Sequence, residues 1–382
     1  MPAEAIPARS ASASLQRQKC EGLWLVAVET VPVVEFYLTL TPLPGESVPA
    51  LARRLAEVVK SRNATVVRQL VFGSAAAEAK ATSTLRETLA DPNLPVTWVE
   101  GADCAGNDIA GMQIHAVAGA RVRTVRSHGT VTRIWEDALA THCVVSSLLP
   151  MQLSGSRAEQ AREVFGKLQV SLAPAGMAMT DLARTWFYLD DLLAWYGDFN
   201  RVRNDVFTRH ELRLPRLPAS TGVSGRNPAG AALVAAAWAI RPHHPEAAVV
   251  QPVPSPQQCP APAYGSAFSR AVEIHSPGFR QLLVSGTASI GADGKTEHVG
   301  DVRAQIEHTM LVAGAILESR RLRLEDVLFA TAFFKSPGDA PLFAEWLAEH
   351  QLPDLPLVCA QCDVCRDDLL FEIELTAVQA GG

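Results

Sequence analysis

The sequence has little positive charge and no long apolar run. Its 34 Lys and Arg residues are outnumbered by 40 Asp and Glu residues, and only six of the basic residues are lysine. This balance excludes nucleic acid as the main partner, because binding to phosphates depends on a basic surface. No apolar run reaches the roughly 20 residues that a membrane-spanning helix needs, so we expect no membrane partner either.

Cysteine is scarce as well. The seven cysteines are odd in number and lack the spacing of a disulfide framework, which indicates a reducing compartment. Residues 1–21 are rich in Ala and Ser but lack the continuous apolar core of a signal peptide. They predict a disordered tail, and the chain as a whole predicts a cytoplasmic globular protein.

What the sequence does contain is internal repetition, and 382 residues are enough for two or three units. In the last third, apolar periodicity predicts two strands, a helix, a strand, a helix and a closing strand, over 268–275, 279–290, 301–320, 326–334, 340–350 and 369–378. The middle third repeats this order over 121–135, 142–149, 157–172, 182–189, 192–209 and 232–240. Two pairs of equivalent positions are each 145 residues apart: Gln160 with Gln305, and Asp181 with Asp326.

The first third fits the same order more loosely. Its predicted elements are strands 23–30, 34–40, 64–72 and 111–118 and helices 47–59 and 75–89. Repeated ββαβαβ units favour an α+β fold of mixed sheets with helices on one face. We expect units over 22–119, 120–245 and 263–382, with a Pro-rich linker at 246–262. Two such units behind an unrelated N-terminal domain remain the alternative.

Motifs in the last third resemble a known family. The segments VSGTASI (284–290), GDVRAQ (300–305) and LLFEIELTA (369–377) are similar to RidA/YjgF proteins. The combination of YGSAFSRAVEI (264–274) with DVCRDDLLFEIE (363–374) resembles the chorismatases, which cleave chorismate. RidA-type proteins are trimers with ligand clefts between subunits. The resemblance therefore implies three RidA/YjgF-like repeats forming an intrachain pseudo-trimer, as a monomer or weak homo-oligomer without a cofactor.

The closing strand of the third unit carries the candidate catalytic acid. Strand periodicity places Glu372 and Glu374 on the same face, where an unpaired carboxylate would be costly to bury. Aligning the predicted closing strands places Gln113 and Ala235 opposite Glu372, so one unit of three keeps an acid there. The resemblance implies that Glu372 is the proton donor, although an ion pair with an arginine would also explain it. Glu374 is expected in an interface or a salt bridge.

The substrate that the resemblance implies needs both an acid and cations. Protonation of the chorismate enol ether gives an oxocarbenium ion, and at neutral pH this needs a carboxylic acid that is held neutral. Two substrate carboxylates match guanidinium groups, and we expect Arg270 and Arg226 to bind them, with Tyr264 donating a hydrogen bond. A segment of small residues lets a flat ring approach the backbone: Gly286, Thr287 and Ala288. An ordinary packing or surface role is the alternative for each.

The cysteines of the last third have the spacing C-x2-C-x2-C, at Cys359, Cys362 and Cys365. Because no fourth Cys or His lies nearby, the sequence predicts no metal site. In the chorismatases that the chain resembles, a cysteine at the position of Cys365 accompanies formation of an aromatic hydroxybenzoate. The expected products are therefore pyruvate and 3-hydroxybenzoate, with or without some 4-hydroxybenzoate.

Three alternatives stay open at this point. One is a chorismate hydrolase that gives a dihydroxycyclohexadiene carboxylate, and another is a non-enzymatic protein that binds a small ligand. The third is a RidA-type deaminase of enamines or imines. Those deaminases use an arginine shortly before the last strand, and the nearest equivalent here is around Cys359, which weakens this third alternative.

Overall fold

A computed structural model of the chain describes residues 13–30, 32–276, 278–352 and 354–380. These residues form three mixed β-sheets, each packed on one face against two α-helices. None of the helices in this part of the chain is long and apolar enough to span a membrane. The α+β fold class and the three ββαβαβ repeats predicted from the sequence are confirmed.

The first unit comprises β1 Ser14–Cys20, β2 Leu23–Thr30, β3 Val33–Leu40, α1 Val48–Ser61, β4 Thr65–Gly73, α2 Ala75–Leu89, β5 Val96–Val99 and β7 Ile109–Ala118. Its sheet has the order β1-β2-β3-β7-β4-β5. Strand β1 corrects the predicted disordered tail, because residues 14–20 form a hairpin with β2. Gly22, with φ 63°, makes the tight turn between the two strands. Residues 1–12 of that tail lie outside the described residues.

The second unit comprises β8 Arg123–Ser127, β9 Thr130–Glu136, β10 Ala140–Leu148, α3 Arg157–Leu172, β11 Leu182–Leu189, α4 Leu192–Arg209, β12 Ala219–Ser224 and β13 Leu233–Pro242. Its sheet has the order β12-β11-β13-β10-β9-β8. The single strand predicted at 121–135 is a hairpin instead. His128 and Gly129, with φ 49° and 80°, form the two-residue turn that separates β8 from β9.

The third unit comprises β14 Val249–Val253, β15 Ala271–Ser276, β16 Phe279–Ala288, α5 Val302–Glu318, β17 Val327–Phe334, α6 Ala340–Glu349, β18 Leu357–Gln361 and β19 Phe371–Ala380. Its sheet has the order β14-β15-β16-β19-β17-β18-β6, where β6 is Ala102–Asp103. The predicted linker at 246–262 is therefore wrong over β14, which pairs with β15. Pro252 is tolerated there because β14 is an edge strand, where a missing N–H breaks no ladder.

Each unit also has a short strand that was not predicted from the sequence. These strands, β5, β12 and β18, pair in parallel with β4, β11 and β17. The helices lie on the outer faces of the sheets, whereas the inner faces share one apolar cluster that includes Phe72, Trp186 and Phe333 from the three units. This shared core forms the pseudo-trimer.

Candidate active site

The strand pairings show which positions of the three closing strands are equivalent. The second-last residues of β4, β11 and β17 pair with Gly111, Val234 and Glu372. The predicted alignment of Gln113 and Ala235 with Glu372 is therefore wrong, and Gln113 is instead equivalent to Glu374. Bulges and different starting points of the strands cause the offset. Neither true equivalent of Glu372 is acidic, so the third unit alone carries a carboxyl at this position.

A cleft opens beside Glu372 between the second and third units. Strands β12 and β16 approach each other there: Ser285 Oγ accepts from Ser220 N at 2.9 Å, and Thr221 Oγ1 accepts from Gly286 N at 3.1 Å. The cleft is lined by Tyr196, Arg203, Ser220, Gly222, Tyr264, Phe268, Arg270, Gly286, Ala288, Ile290, Cys365 and Glu372. It thus brings together six of the eight residues that the sequence predicted.

Glu372 is a buried acid with a perturbed pKa. The residue is only 4% exposed. Its carboxyl lies against Gly286, and a Cβ added to this glycine would lie 2.0 Å from Oε1. Burial and, second, the charge of Glu374 raise its pKa to about 8, although Arg184 and Arg270 act to lower it. At neutral pH this group is therefore mostly a protonated carboxylic acid, able to donate a proton.

Glu374 is paired across the border between units, as the sequence indicated. Its Oε2 accepts from Arg184 Nη2 at 2.6 Å, and its Oε1 accepts from Thr331 Oγ1 at 3.3 Å. Arg184 also donates to Thr221 Oγ1 at 2.6 Å and to Val284 O at 3.0 Å. This buried pair keeps a negative charge two residues from Glu372, and that charge helps to hold the neighbouring acid neutral.

Two arginines line the cleft. Arg270 is 4% exposed, and its Nε and Nη2 donate to Cys259 O at 3.1 and 2.8 Å, below the rings of Tyr264 and Phe268. Arg203 is 1% exposed and donates through Nη2 to Asn200 Oδ1 at 2.5 Å. Its Nε has no hydrogen-bond partner among the described residues. The cleft therefore offers guanidinium donors to an anion.

Arg203 and Tyr196 were not predicted from the sequence. Both lie on α4, on the stripe that buries Phe199 and Phe207 against the sheet. Arg203 lies four residues from each of these two aromatics, on the apolar face of the helix. A charged side chain on such a face is unusual, so this spacing could have indicated a functional arginine. Burial lowers the pKa of Arg203, and the neighbouring Tyr196 partly offsets that effect.

Two predicted residues lie elsewhere. Arg226 was expected in this cleft, but its side chain is 71% exposed and pairs with Glu100 of the first unit, with Nε 3.1 Å from Oε2. The physical reason is that β12 ends at Ser224, so the chain has already left the cleft. Thr287 does not line the cleft either; it is buried and donates to Ser285 O at 2.9 Å.

The three clustered cysteines diverge in the fold. Cys359 packs on the core of the third unit, Cys362 lies in the shared core, and Cys365 borders the cleft. Burial and, second, the charge of Glu372 raise the pKa of the Cys365 thiol to about 12. Cys365 is therefore a neutral thiol at neutral pH, and it contributes a small, weakly polar wall rather than a nucleophile.

Comparison with known proteins identifies relatives of both predicted kinds. No family model matches the chain. It is 30% identical over 219 residues to the 3-hydroxybenzoate synthase of Streptomyces hygroscopicus, covering 50% of this chain and 62% of that protein. A crystal structure of a chorismatase at 1.08 Å resolution superposes with a TM-score of 0.65 at 19% identity, covering 82% of this chain and 93% of that one. The chain therefore has the fold of a chorismatase, and half of it is similar in sequence to a 3-hydroxybenzoate synthase.

A second relative is similar to a single unit of the chain. The chain is 30% identical over 97 residues to the 3-aminoacrylate deaminase RutC of Acinetobacter baylyi, covering 25% of this chain and 77% of that protein. A segment about the length of one repeat thus matches most of the RutC protein. The chorismatase-like architecture joins three such copies in one chain, and the cleft with Glu372 lies where the second copy meets the third.

Proposed function

We propose that this protein removes the pyruvyl group of chorismate and releases pyruvate and 3-hydroxybenzoate. The observation that carries the proposal is the buried carboxyl of Glu372, whose pKa is raised to about 8 in a cleft lined by arginines. A neutral carboxylic acid is what protonation of an enol ether at neutral pH requires. The similarity to a 3-hydroxybenzoate synthase supports the choice of substrate and product.

Substrate binding is assigned to the two arginines of the cleft. Chorismate carries two carboxylates, and a guanidinium group binds a carboxylate through paired hydrogen bonds. Arg270 is held in place by Cys259 O and keeps further N–H groups for a ligand, and Arg203 keeps its Nε. Tyr196 and Tyr264 border the same space. The ring is expected to lie against Gly286 and Ala288, where no large side chain intervenes.

The reaction starts with transfer of the Glu372 proton to the terminal methylene carbon of the enol ether. A C–H bond forms as the carboxyl O–H bond breaks, and positive charge develops on the ether as an oxocarbenium ion that the new carboxylate stabilises. The oxygen of the neighbouring ring hydroxyl then bonds to the ring carbon that carries the ether, while the C–O bond from that carbon to the pyruvyl group breaks, so that pyruvate leaves and the hydroxyl proton returns to Glu372. Cleavage of the oxygen's original C–O bond, with transfer of the proton from the carbon that now carries the oxygen, makes the ring aromatic and leaves the hydroxyl at position 3. Chorismate contains the atoms of pyruvate plus hydroxybenzoate, so no water is consumed.

Exclusion of water decides between the two sets of products. Entry of a water molecule at the oxocarbenium ion would give pyruvate and a dihydroxycyclohexadiene carboxylate instead. The wall of the cleft beside Glu372 is built from Ala288, Ile290 and Cys365, which form an apolar cluster with Val364 and Leu369. A neutral thiol in this wall offers only weak hydrogen bonds to an attacking water, which favours the aromatic product.

The experiment that tests the proposal incubates the purified chain with chorismate, measures pyruvate enzymatically and separates the ring products by chromatography. We expect equimolar pyruvate and 3-hydroxybenzoate. Pyruvate with only the diene diol would make the protein a chorismate hydrolase. No pyruvate, together with ammonia release from an enamine such as 3-aminoacrylate, would replace the proposal with a deaminase. Binding of chorismate without turnover would leave a ligand-binding protein.

A further inference from the structure

A second group of reactive side chains lies outside the cleft, around the loop that connects β16 with α5. Glu297 and His298 lie near the end of this loop, and His308 lies in the second turn of α5. One nitrogen or oxygen of each side chain lies within 4.8 Å of the others. Two imidazoles with one carboxylate form a ligand set that suits a zinc ion.

The hydrogen bonds around His308 determine which of its nitrogens is available. Ser289 Oγ lies 3.0 Å from Glu297 O, and since a carbonyl cannot donate, the serine hydroxyl must. The same oxygen lies 3.0 Å from His308 Nδ1 and therefore accepts from it. With the proton on Nδ1, the lone pair of Nε2 points away from Ser289. A partner that fixes the tautomer in this way is the usual second shell of a metal-binding histidine.

The free nitrogen of His308 faces a carboxylate. Nε2 lies 3.4 Å from Glu297 Oε2, a separation at which a neutral imidazole and a carboxylate can share a cation. Bonds of about 2.0–2.1 Å to a tetrahedral zinc ion place neighbouring ligand atoms about 3.3–3.4 Å apart. The carboxylate itself is seated against Gly291, where an added Cβ would lie 2.1 Å from Glu297 Oε1.

The backbone holds His298 in an unusual conformation. Its φ of 58° lies in the left-handed region, which non-glycine residues seldom adopt. The conformation is maintained because His298 O accepts from Asp301 N at 3.0 Å and from Gln305 Nε2 at 3.3 Å. The imidazole of His298 is thereby brought to 5.6 Å from that of His308, measured between ring centres. Local strain that brings a second imidazole to the pair is typical of a binding site.

We propose that Glu297, His298 and His308 bind one zinc ion, with water as the fourth ligand, and that this ion stabilises the loop 291–300 beside the cleft. The loop is tied to the cleft on two sides. Gly294 packs on Tyr264, and Thr296 Oγ1 donates to Asp368 Oδ1 at 2.8 Å, in the segment that leads to Glu372. Zinc binding does not depend on the proposed reaction, so either can fail without the other.

The test uses the full chain after treatment with a chelator. Isothermal titration with Zn²⁺ is expected to show one equivalent bound, and His298→Ala or His308→Ala should weaken binding about tenfold or more. His350→Ala is the matched control, because His350 Nε2 also faces a glutamate, Glu307, at 3.5 Å and its Nδ1 lies 2.9 Å from Trp346 O. That pair has no second imidazole within reach among the described residues, so this variant should bind zinc as the unmodified chain does.

Two further measurements keep the result unambiguous. Co²⁺ in place of zinc should give the visible spectrum of nitrogen and oxygen ligands, and Zn²⁺ should slow proteolysis within the loop. Where His308→Ala fails to fold, Glu297→Gln on the exposed loop replaces it. Unchanged affinity in the folded loop variants would overturn the proposal. A thiolate-to-cobalt charge-transfer band would do the same, because it would assign the metal to the cysteines.

Discussion

At the scale of single residues, the proposed chemistry depends on the protonation of one carboxyl. Glu372 is buried beside the charged Glu374, and both effects raise its pKa, to about 8. The glycine at position 286 is needed because any side chain there would occupy the place of the carboxyl. Only the third unit combines these features, since Gly111 and Val234 hold the equivalent positions in the other two.

The first prediction concerns this carboxyl. Glu372→Gln should lower kcat by roughly 10²–10⁴, the usual scale for loss of a general acid. Because the acid acts in its protonated form, activity of the unmodified chain should be constant at lower pH and fall as pH rises through about 8. Steady-state rates of pyruvate release between pH 5 and 9.5, for both proteins, provide the measurement.

A stability measurement serves as the control for this substitution. A carboxyl whose pKa is raised in the folded state destabilises the fold increasingly as pH rises above its ordinary value of 4.5. Glu372→Gln removes that effect, so its melting temperature should equal or exceed that of the unmodified chain at pH 8. Near-normal turnover in this variant would remove Glu372 from the mechanism, and a strong loss of stability would make the loss of activity a folding defect.

The second prediction concerns the cations of the cleft. Arg270→Ala and Arg203→Ala should each weaken binding of 3-hydroxybenzoate or chorismate by a few kcal/mol, the scale for removing one partner of a buried charge pair. Arg226→Ala is the control, because Arg226 is 71% exposed and pairs with Glu100 instead. Fluorescence or calorimetric titration measures the affinities, and circular dichroism checks that each variant folds. Equal affinity across all three variants would place the anion site elsewhere.

At the scale of secondary-structure elements, strands β11 and β19 join the second and third units through a buried ion pair. Arg184 on β11 reaches Glu374 on β19, Thr221 on β12 and the carbonyl of Val284 on β16. Four strands of two units thus converge on one guanidinium group. The cleft depends on this contact, since Glu372 and Gly286 lie on two of the same strands.

The third prediction follows from that convergence. Arg184→Met leaves Glu374 buried without its partner and should destabilise the fold by about 3–5 kcal/mol. Arg184→Met combined with Glu374→Leu should recover most of the loss, because an apolar pair of similar volume has no charge to desolvate. Urea denaturation of the single and double variants measures both free energies of unfolding. A double variant as unstable as the single one would show that packing, rather than the unpaired charge, is responsible.

Helices and closing strands were predictable at this scale, whereas the short parallel strands were not. Helix α5 was expected at 301–320 and runs Val302–Glu318, because its apolar residues recur at helical spacing and Asp301 caps it by accepting from Ala304 N. Strands β5, β12 and β18 have four to six residues each. Such short segments carry no clear period, and their pairing with a neighbouring strand is what makes them strands.

At the scale of the whole molecule, fusion of three units allows equivalent positions to differ. The pairings of β3, β10 and β16 with the closing strands make Glu35, His142 and Gln281 equivalent, and all three are buried. Glu35 bonds to Tyr37 and His115, Gln281 donates to Tyr37 Oη, and His142 pairs with Asp137. A trimer of identical chains would place the same side chain three times around the axis. Here Glu35 and Gln281 both form hydrogen bonds with Tyr37, whereas His142 forms a separate pair with Asp137.

The fourth prediction concerns the pH dependence of stability that the pair of His142 and Asp137 confers. Burial disfavours both charges, yet the mutual hydrogen bond lowers the pKa of Asp137 and raises the pKa of His142. The pair therefore contributes fully between the ordinary values of 3.8 and 6.5, and the contribution is lost as pH rises through the raised pKa of His142 or falls through the lowered pKa of Asp137.

Melting temperatures of the unmodified chain and of His142→Gln, measured from pH 3 to 9, test this prediction. The advantage of the unmodified chain should be largest near pH 5–6 and should shrink on both sides. His243→Gln, on a turn outside the sheets, is the control and should leave the difference near zero at every pH. A constant difference between unmodified chain and His142→Gln would contradict an ionised pair.

The sequence by itself determined the repeated α+β units, the candidate acid Glu372 and half of the residues that line its cleft. These follow from local information, because periodicity reports which face of an element is buried and the motifs lie in one continuous third of the chain. It did not determine the equivalence of Glu372 with Gly111 and Val234, since register depends on bulges and strand pairing.

Only the tertiary structure decided the second unit's contribution to the site. Arg203 and Tyr196 lie on α4, far from Glu372 in sequence, whereas Arg226, which the sequence favoured, lies beyond the end of β12. The raised pKa of Glu372 and the approach of His298 to His308 are likewise properties of packing. Contacts between distant segments set burial and charge proximity, and these quantities have no counterpart in the order of residues along the chain.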